Sequence, residues 1–329
     1  MKTLTIGKND AGQRLDRFLA KALPTLPQAL MYKYIRIKRI KRNGKRCAIS
    51  DRLAEGDELA LYINDEFFTP APPRYPFLKA SSKLDVVYED ARLLVVNKKV
   101  GLIVHSDDRS YGDTLIDRIQ RYLYEKGEYR PEDEQSFAPA LINRIDRNTC
   151  GLVLAAKTAE TLRLMNEKMK TRDIDKYYLC VVHGSMAEPE AVLEGFLEKD
   201  SDRNQVFVHD HPIPGGRTIH TKYRVLAEKN GYSLLEVELL TGRTHQIRAH
   251  LASVGHPIVG DGKYGTNALN KPSGYTVQAL CSYKVTFHFA PDELLSDLNG
   301  KTVELHDVGF LEDFYAGRLG VSPRANAKS

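Results

Sequence analysis

Ile142-Asn143-Arg144-Ile145-Asp146-Arg147-Asn148-Thr149-Cys150-Gly151-Leu152-Val153-Leu154-Ala155-Ala156-Lys157 sets one carboxylate between two arginines at the mouth of an apolar run. Residues 151–156 are short, apolar and unbroken, which predicts a buried strand with a polar turn before it at the sheet's edge. Two readings of Asp146 are open on spacing alone. Its side chain can cap the turn, as Asx residues do, or the turn can present it as a catalytic carboxylate. The arginines beside it read equally well as solvated charge.

Outward from this stretch, short β-branched or Leu-rich runs at 86–88, 93–96, 178–182 and 233–240 predict further strands. Helical spacing is confined to 114–123 (Ile116, Ile119, Leu123), 158–169 (Leu162, Met165, Met169) and 243–254 (Ile247, Leu251, Val254). The last of these follows Gly242, which can supply a special turn conformation, and is ended by Gly255. Strands with isolated helices between them favour α+β over a doubly wound sheet. Residues 124–137 are polar and without period, which predicts a surface loop.

The first 63 residues differ. Leu15, Phe18, Leu19 and Ala22 predict an amphipathic helix over 14–23, and Leu30/Tyr34 with Met31/Ile35 predict a second over 28–35. Lys33, Arg36, Lys38, Arg39, Lys41, Arg42, Lys45 and Arg46 then surround Asn43-Gly44, a tight-turn signal, with no acidic residue among them. This segment of 63 residues holds fourteen Lys and Arg against six Asp and Glu, a net of +8. The whole chain is +5, so the remainder is −3. A basic run is often just a solvated face, but cations this dense repel one another unless anions offset them, as phosphates do. Residues 64–82 hold Pro70, Pro72, Pro73 and Pro76 and read as an extended linker. A second, larger domain is expected over 83–319, with a disordered tail at 320–329.

With 329 residues, 42% of them hydrophobic, the chain can bury a large core in about two domains. Cys47, Cys150, Cys180 and Cys281 are scattered, which argues for reduced thiols in a cytoplasmic protein rather than a disulfide or zinc framework. His245 and His250 are five apart, not the four that share a helix face, and His209-Asp210-His211 reads as a polar loop, so no metal site is expected. The first residues lack the apolar core of a signal peptide, and no run approaches the roughly 18 apolar residues of a membrane span. No membrane partner is expected.

The stretch around Asp146 resembles the central motif of the RluA-type RNA pseudouridine synthases: His-Arg-Leu-Asp, two variable residues, Thr-Ser-Gly, an aliphatic run and Ala-Lys. Arg144, Asp146, Thr149, Gly151 and Lys157 match, while Asn143 stands for the His and Cys150 for the Ser. Three more segments are similar to the family's motifs, in the family's order: 93–105, with Lys99 in place of the usual Pro; 176–184, carrying Lys-x-Tyr; and 240–251, followed by Gly255-His256-Pro257-Ile258 and Gly260-Asp261. The likeness runs from about Val86 to Tyr283. Residues 13–63 resemble the S-four-type RNA-binding module, named for a small-subunit ribosomal protein.

The resemblance implies an α+β fold, a mixed-sheet pseudouridine synthase core beside a small α/β RNA-binding domain at 1–63. It implies isomerisation of uridine in structured RNA, with Asp146, Tyr178 and Arg248 as catalytic residues and Ile247 beside them. Arg248 would pair with the carboxylate and keep it ionised; on spacing alone it is as readily a surface arginine. Tyr178 could stack on uracil and offer a hydroxyl as a proton handle. Asp146 could attack the anomeric carbon or remove a proton from the neighbouring ribose carbon. The base has to be reached on several sides, so the uridine should flip out, with Arg144 filling the gap. The reaction needs no cofactor and no metal. Resemblance to the RluC- and RluD-like subgroup points to large-subunit ribosomal RNA over transfer RNA, acted on by a monomer. Two other classes compete: a glycoside-cleaving enzyme, which commonly wants a second carboxylate, and a non-catalytic RNA-binding or ribosome assembly factor.

Overall fold

The computed structural model describes residues 1–68, 75–105, 112–200, 202–291 and 294–319. Residues 69–74 of the proline-rich stretch 64–82 and the tail at 320–329 lie outside the described residues. The chain divides into two compact units.

The first unit holds Met1–Lys83, Asp107–Ala140 and Ala155–Leu164. Its small antiparallel sheet has the order β1 (Lys2–Thr5), β4 (Glu58–Leu61), β2 (Ile40–Arg42), β3 (Lys45–Arg46). Helices α1 (Leu15–Ala22) and α2 (Gln28–Arg36) turn Leu15, Phe18, Leu19, Met31, Tyr34 and Ile35 into one core. Each fully buried aliphatic or aromatic side chain contributes ~1.5–3 kcal/mol, which is what fixes two short helices that would not persist alone. Asn43 (φ 50) and Gly44 (φ 73) make the hairpin between β2 and β3, the two successive positive φ values that the Asn-Gly signal predicts.

Asp57 anchors this hairpin. Its buried carboxylate accepts from the Ala54 amide (2.6 Å) and Asn43 Nδ2 (2.7 Å) and pairs with Arg42 Nη2 (2.6 Å). Burial alone would raise its pKa, but these partners hold it below the ordinary value. Arg42 is therefore committed to the fold, while Lys33, Arg36, Lys38, Arg39, Lys45 and Arg46 are exposed.

Residues 124–137 depart from the surface loop their polarity predicts. Helix α3 (Leu115–Glu125) runs into the stretch, Tyr129 and Phe137 are buried, and its polar groups are engaged. Asn9 Nδ2 donates to Glu134 Oε1 (2.6 Å), Gln13 Nε2 to Ser136 Oγ (2.7 Å), and Gln135 Nε2 to the Thr5 carbonyl (2.6 Å). Bonds between residues over 120 positions apart leave no periodicity to read.

The second unit holds Leu84–Ser106, Leu141–Leu154 and Met165–Ser329. It is built on an 11-stranded sheet. In chain order the strands are β5 (Val86–Glu89), β6 (Leu93–Lys98), β7 (Ala140–Leu141), β8 (Cys150–Ala156), β9 (Ile174–His183), β10 (Glu190–Asp200), β11 (Gln205–His209), β12 (Arg217–Lys229), β13 (Tyr232–Glu238), β14 (Leu280–Phe287) and β15 (Thr302–Glu304). They lie in the order β11-β10-β12-β13-β9-β14-β8-β6-β5, with β15 on β14 and β7 on β8. The β14–β8 pair is parallel among antiparallel neighbours, so the sheet is mixed. Helix α4 (Ala159–Thr171) follows β8, and α5 (Gln246–Ser253) follows β13.

Leu152 to Ala156 are fully buried, as the opening stretch predicts. Strands β10 to β12 escape apolar pattern reading because they carry charge on one face: in β12, Ile219, Thr221 and Tyr223 point inward between His220, Lys222 and Arg224. Gly151 fixes how β8 enters the sheet. A Cβ there would lie 2.1 Å from the Ser282 carbonyl oxygen, and its φ is +110. Only glycine lets the two parallel strands approach this closely, and the turn before it carries Asp146.

Candidate active site

Asp146 sits in a turn closed by the Thr149 amide donating to its carbonyl (3.1 Å). The turn is held by Lys98, whose side chain is 0% exposed. Its ammonium donates to the carbonyls of Lys99 (3.0 Å), Leu102 (2.9 Å) and Arg147 (2.9 Å). Three acceptors for three hydrogens satisfy the group. Burial nevertheless brings its pKa down to about 8, against the opposing pull of Cys150 and Asp146.

Arg248 reaches the carboxylate from α5. Its Nε and Nη2 donate to the two oxygens of Asp261 (2.7 and 2.9 Å), and the remaining Nη1 donates to Asp146 Oδ2 (2.7 Å). Side-chain exposure grades outward across this triad: 0% for Asp261, 8% for Arg248, 25% for Asp146. Asp261 is the fixed end, its Oδ1 also accepting from the amides of Lys263 (2.8 Å) and Tyr264 (3.1 Å). Burial pushes its pKa up, but Arg248 and these amides hold it below the ordinary range. Burial would lower the arginine's pKa; Asp261 and then Asp146 raise it instead. The guanidinium is thus a permanent cation aimed by one carboxylate at another, a bidentate clamp on one edge and a single donor on the other.

Tyr178 lies on β9, opposite Ser282 on β14, and is buried. Burial, with a smaller push from Asp146, raises its pKa to about 12, so the hydroxyl keeps its proton at neutral pH. Asp146, Tyr178 and Arg248 line one open cleft of about 740 Å³ together with Arg144 and Ile247. Arg144 is exposed and Ile247 buried. Lys176, two residues before Tyr178, also lines the cleft; burial lowers its pKa, and its ammonium donates to the Met169 thioether (3.6 Å), a weak acceptor. The eight cations of 33–46 belong to the first unit.

The loop before α5 corrects the sequence reading. The helix begins at Gln246, not 243, and the special conformation falls on His245 (φ 54) rather than Gly242. Gln246 enforces this from a buried position: Oε1 accepts from Thr241 Oγ1 (2.9 Å) and the Arg243 amide (3.1 Å), and Nε2 donates to the His220 carbonyl and Thr221 Oγ1 (both 3.0 Å). His250 bonds to Thr221 Oγ1 (2.9 Å), and burial lowers its pKa to about 4. His209 ends β11, and His211 bonds to Asp210 (2.6 Å). Among the described residues no three His, Cys, Asp or Glu side chains are grouped to hold a metal, and no helix is long and apolar enough to cross a membrane.

The RNA pseudouridylate synthase family model matches residues 92–253. The ribosomal large subunit pseudouridine synthase D of Escherichia coli is 32% identical over 264 residues, covering 80% of this chain and 76% of that protein. The ribosomal large subunit pseudouridine synthase C of Vibrio cholerae is 30% identical over 307 residues, covering 92% and 91%. The chain belongs to this family. A solved structure, human RNA pseudouridylate synthase domain containing 4, shares the fold: TM-score 0.55 at 19% identity, over 71% of this chain and 93% of that one.

In this pseudouridine synthase the sequence motifs name the residues at the centre of the cleft but not those that hold them. Asp261 is visible only as the end of the Gly260-Asp261 pair after the last motif, with no role attached to it, and Lys98 reads as an ordinary strand-end cation. Their signal is burial, which a sequence without an alignment does not show. A weaker hint existed for Lys98: a charged residue closing the apolar run Leu93-Leu94-Val95-Val96 is out of place unless it is satisfied by backbone.

Proposed function

We propose that this synthase isomerises uridine to pseudouridine in large-subunit ribosomal RNA, with Asp146 as the carboxylate that acts on the sugar. The observation that carries this is the 2.7 Å contact from Arg248 Nη1 to Asp146, made by a guanidinium whose other edge Asp261 already fixes. An ionised carboxylate, aimed and part-exposed at a cleft, is what either route requires. In the first, Asp146 attacks the anomeric carbon, an ester bond forms, and the bond to the base nitrogen breaks. The uracil turns, its C5 bonds to the same carbon, the ester leaves as carboxylate, and the C5 proton is lost as N1, freed of the sugar, gains one. In the second, Asp146 takes the proton from the adjacent ribose carbon as the bond to the base nitrogen breaks, leaving a glycal; the uracil turns, its C5 bonds to the anomeric carbon as Asp146 returns the proton to the ribose carbon, and the C5 proton is lost as N1 gains one.

Tyr178, protonated and buried at the cleft, suits stacking on the base and handing a proton on. Arg144, exposed at the mouth, suits filling the place of a flipped nucleotide. Arg36, Lys38, Arg39, Lys45 and Arg46 suit phosphate contacts. A ribosomal substrate is supported by the names of the two bacterial relatives. That substrate and the four free cysteines support a cytoplasmic location. Glycoside cleavage has less in its favour: Asp261, the second carboxylate on Arg248, is fully buried with both oxygens engaged.

The test is incubation of the full chain with an unmodified large-subunit ribosomal RNA transcript. Pseudouridine should appear at specific positions without change in RNA mass. Release of free uracil would indicate cleavage instead, and unaltered RNA would leave only binding.

A further inference from the structure

His245, the residue before α5, faces the same carboxylate as Arg248 within that helix. Its Nε2 lies 3.9 Å from Asp146 Oδ2. Its Nδ1 lies 2.9 Å from the Tyr264 hydroxyl, and the Val206 amide donates to that same hydroxyl (3.0 Å). The phenol accepts from Val206, so its one hydrogen is free to go to His245 Nδ1. With the phenol donating to Nδ1, the neutral ring carries its hydrogen on Nε2, on the side of Asp146. Burial lowers the imidazole pKa; Asp146 raises it, Arg248 and Lys263 lower it, and Asp261 raises it, with a net fall that keeps the ring neutral at physiological pH. A non-glycine residue at φ 54 costs of order 1 kcal/mol or more and persists only where its surroundings impose it, as Gln246 does here.

The 3.9 Å gap is too long for a direct hydrogen bond. A single oxygen at ordinary distances of ~2.8 Å from each side spans it. That oxygen has to accept from an N–H and donate to a carboxylate, which a hydroxyl does and a carbonyl, ether or phosphate oxygen does not. Resting on the reading of Asp146 as the sugar-side carboxylate, we propose that His245 Nε2 and Asp146 Oδ2 together clamp the 2′-hydroxyl of the target uridine. The chemistry of ribose agrees. A carboxylate approaching the anomeric carbon opposite the departing base comes in on the face that carries the 2′-hydroxyl, one carbon away. The clamp makes the site specific for ribose over deoxyribose, and Tyr264 is its positioning residue.

The experiment is single-turnover kinetics on a synthetic RNA stem-loop spanning a uridine that the wild type is first mapped to modify, made with ribose, 2′-deoxyribose or 2′-fluororibose at that nucleotide. His245→Asn is the main variant, because asparagine tolerates the left-handed backbone. Loss of one such bond predicts about a tenfold lower rate on ribose, and the ratio of wild type to variant should fall toward one on 2′-deoxyribose and 2′-fluororibose. Intrinsic changes in glycosidic-bond reactivity cancel in that ratio. The same ratio on all three sugars would overturn the clamp, since a merely structural histidine affects every substrate alike. If His245→Asn does not fold, Tyr264→Phe removes only the hydroxyl: a loss confined to ribose supports the clamp, and no loss overturns the tautomer lock. A wild type that makes no pseudouridine on any RNA would sink the functional reading itself, a result distinct from both.

Discussion

Between Lys33 and Arg46 the chain places eight cations, six of them exposed; at the cleft, Arg248 is closed between two carboxylates. The first set resembles a screen of charge. Each member adds a similar increment to phosphate attraction, salt weakens all of them together, and geometry matters little. Arg248 works the other way. Its charge is unscreened and its direction fixed, so the loss of this one group should outweigh the loss of several on the surface. Arg42 shows that position and not residue type sorts the two kinds: inside the basic run, it is bound to buried Asp57 and behaves as part of the fold.

The largest expected effect comes from Asp146→Asn, which keeps the shape and removes charge and basicity. Turnover should fall on the order of 10⁴-fold or more, as when other nucleophiles are removed, with RNA affinity nearly unchanged in a binding titration. Next is Arg248→Met, which leaves Asp261 buried and unpaired; such losses cost ~3–5 kcal/mol, visible as a lower melting temperature and a rate reduced by two orders of magnitude or more. The pH dependence should change sign with it. In the wild type the depressed pKa of Asp261 contributes stability above its ordinary value of 3.8, lost as pH falls through the folded value. In Arg248→Met the carboxyl is buried without its cation, its pKa rises, and mild acid should stabilise the variant relative to neutral pH. Thermal melts at pH 4 and 7 decide this.

Lys98→Met comes third, taking one donor from the Lys99, Leu102 and Arg147 carbonyls, of which Arg147's keeps the Gly101 amide (2.9 Å), at ~1–3 kcal/mol for a group left unsatisfied; turnover and stability should fall together, because the turn bearing Asp146 loosens. The smallest effect per residue belongs to the basic surface. Alanine at Lys38, Arg39, Lys45 and Arg46 should reduce the salt slope of RNA binding by about 3 log units per log unit of salt, at 0.7–0.9 per contact, while Arg42→Ala should lower stability more than it flattens that slope. A slope unchanged by the four alanines would return the run to a solvated face.

The same comparison explains what the sequence made legible. Helices α1 and α2, the Asn-Gly hairpin and the buried strand after Asp146 are local patterns, and they stand within a residue or two of where periodicity puts them. The pairing of Arg248 with Asp146 joins residues 102 apart in sequence, and only family likeness brought them together. Gln246 and Asp261 lie inside the family-like segments, but nothing in those segments shows that they satisfy buried partners, and Tyr264 has no periodic or motif signal at all. The engaged stretch at 124–137 misled for the same reason.

Substituting the four surface cations tests the comparison better than deleting residues 1–63, since Asn9, Gln13 and Thr5 bond to 134–136 within the first unit and a truncation would expose those partners. The most direct measurement is single-turnover pseudouridine formation at saturating RNA by the full-length Asp146→Asn protein beside the four-alanine protein. The first should form no pseudouridine while binding RNA as the wild type does, and the second should react at the wild-type rate once saturated. Product from a verified Asp146→Asn protein would contradict the assignment of the chemistry to Asp146, and a slow chemical step in the four-alanine protein would contradict the separation of grip from catalysis.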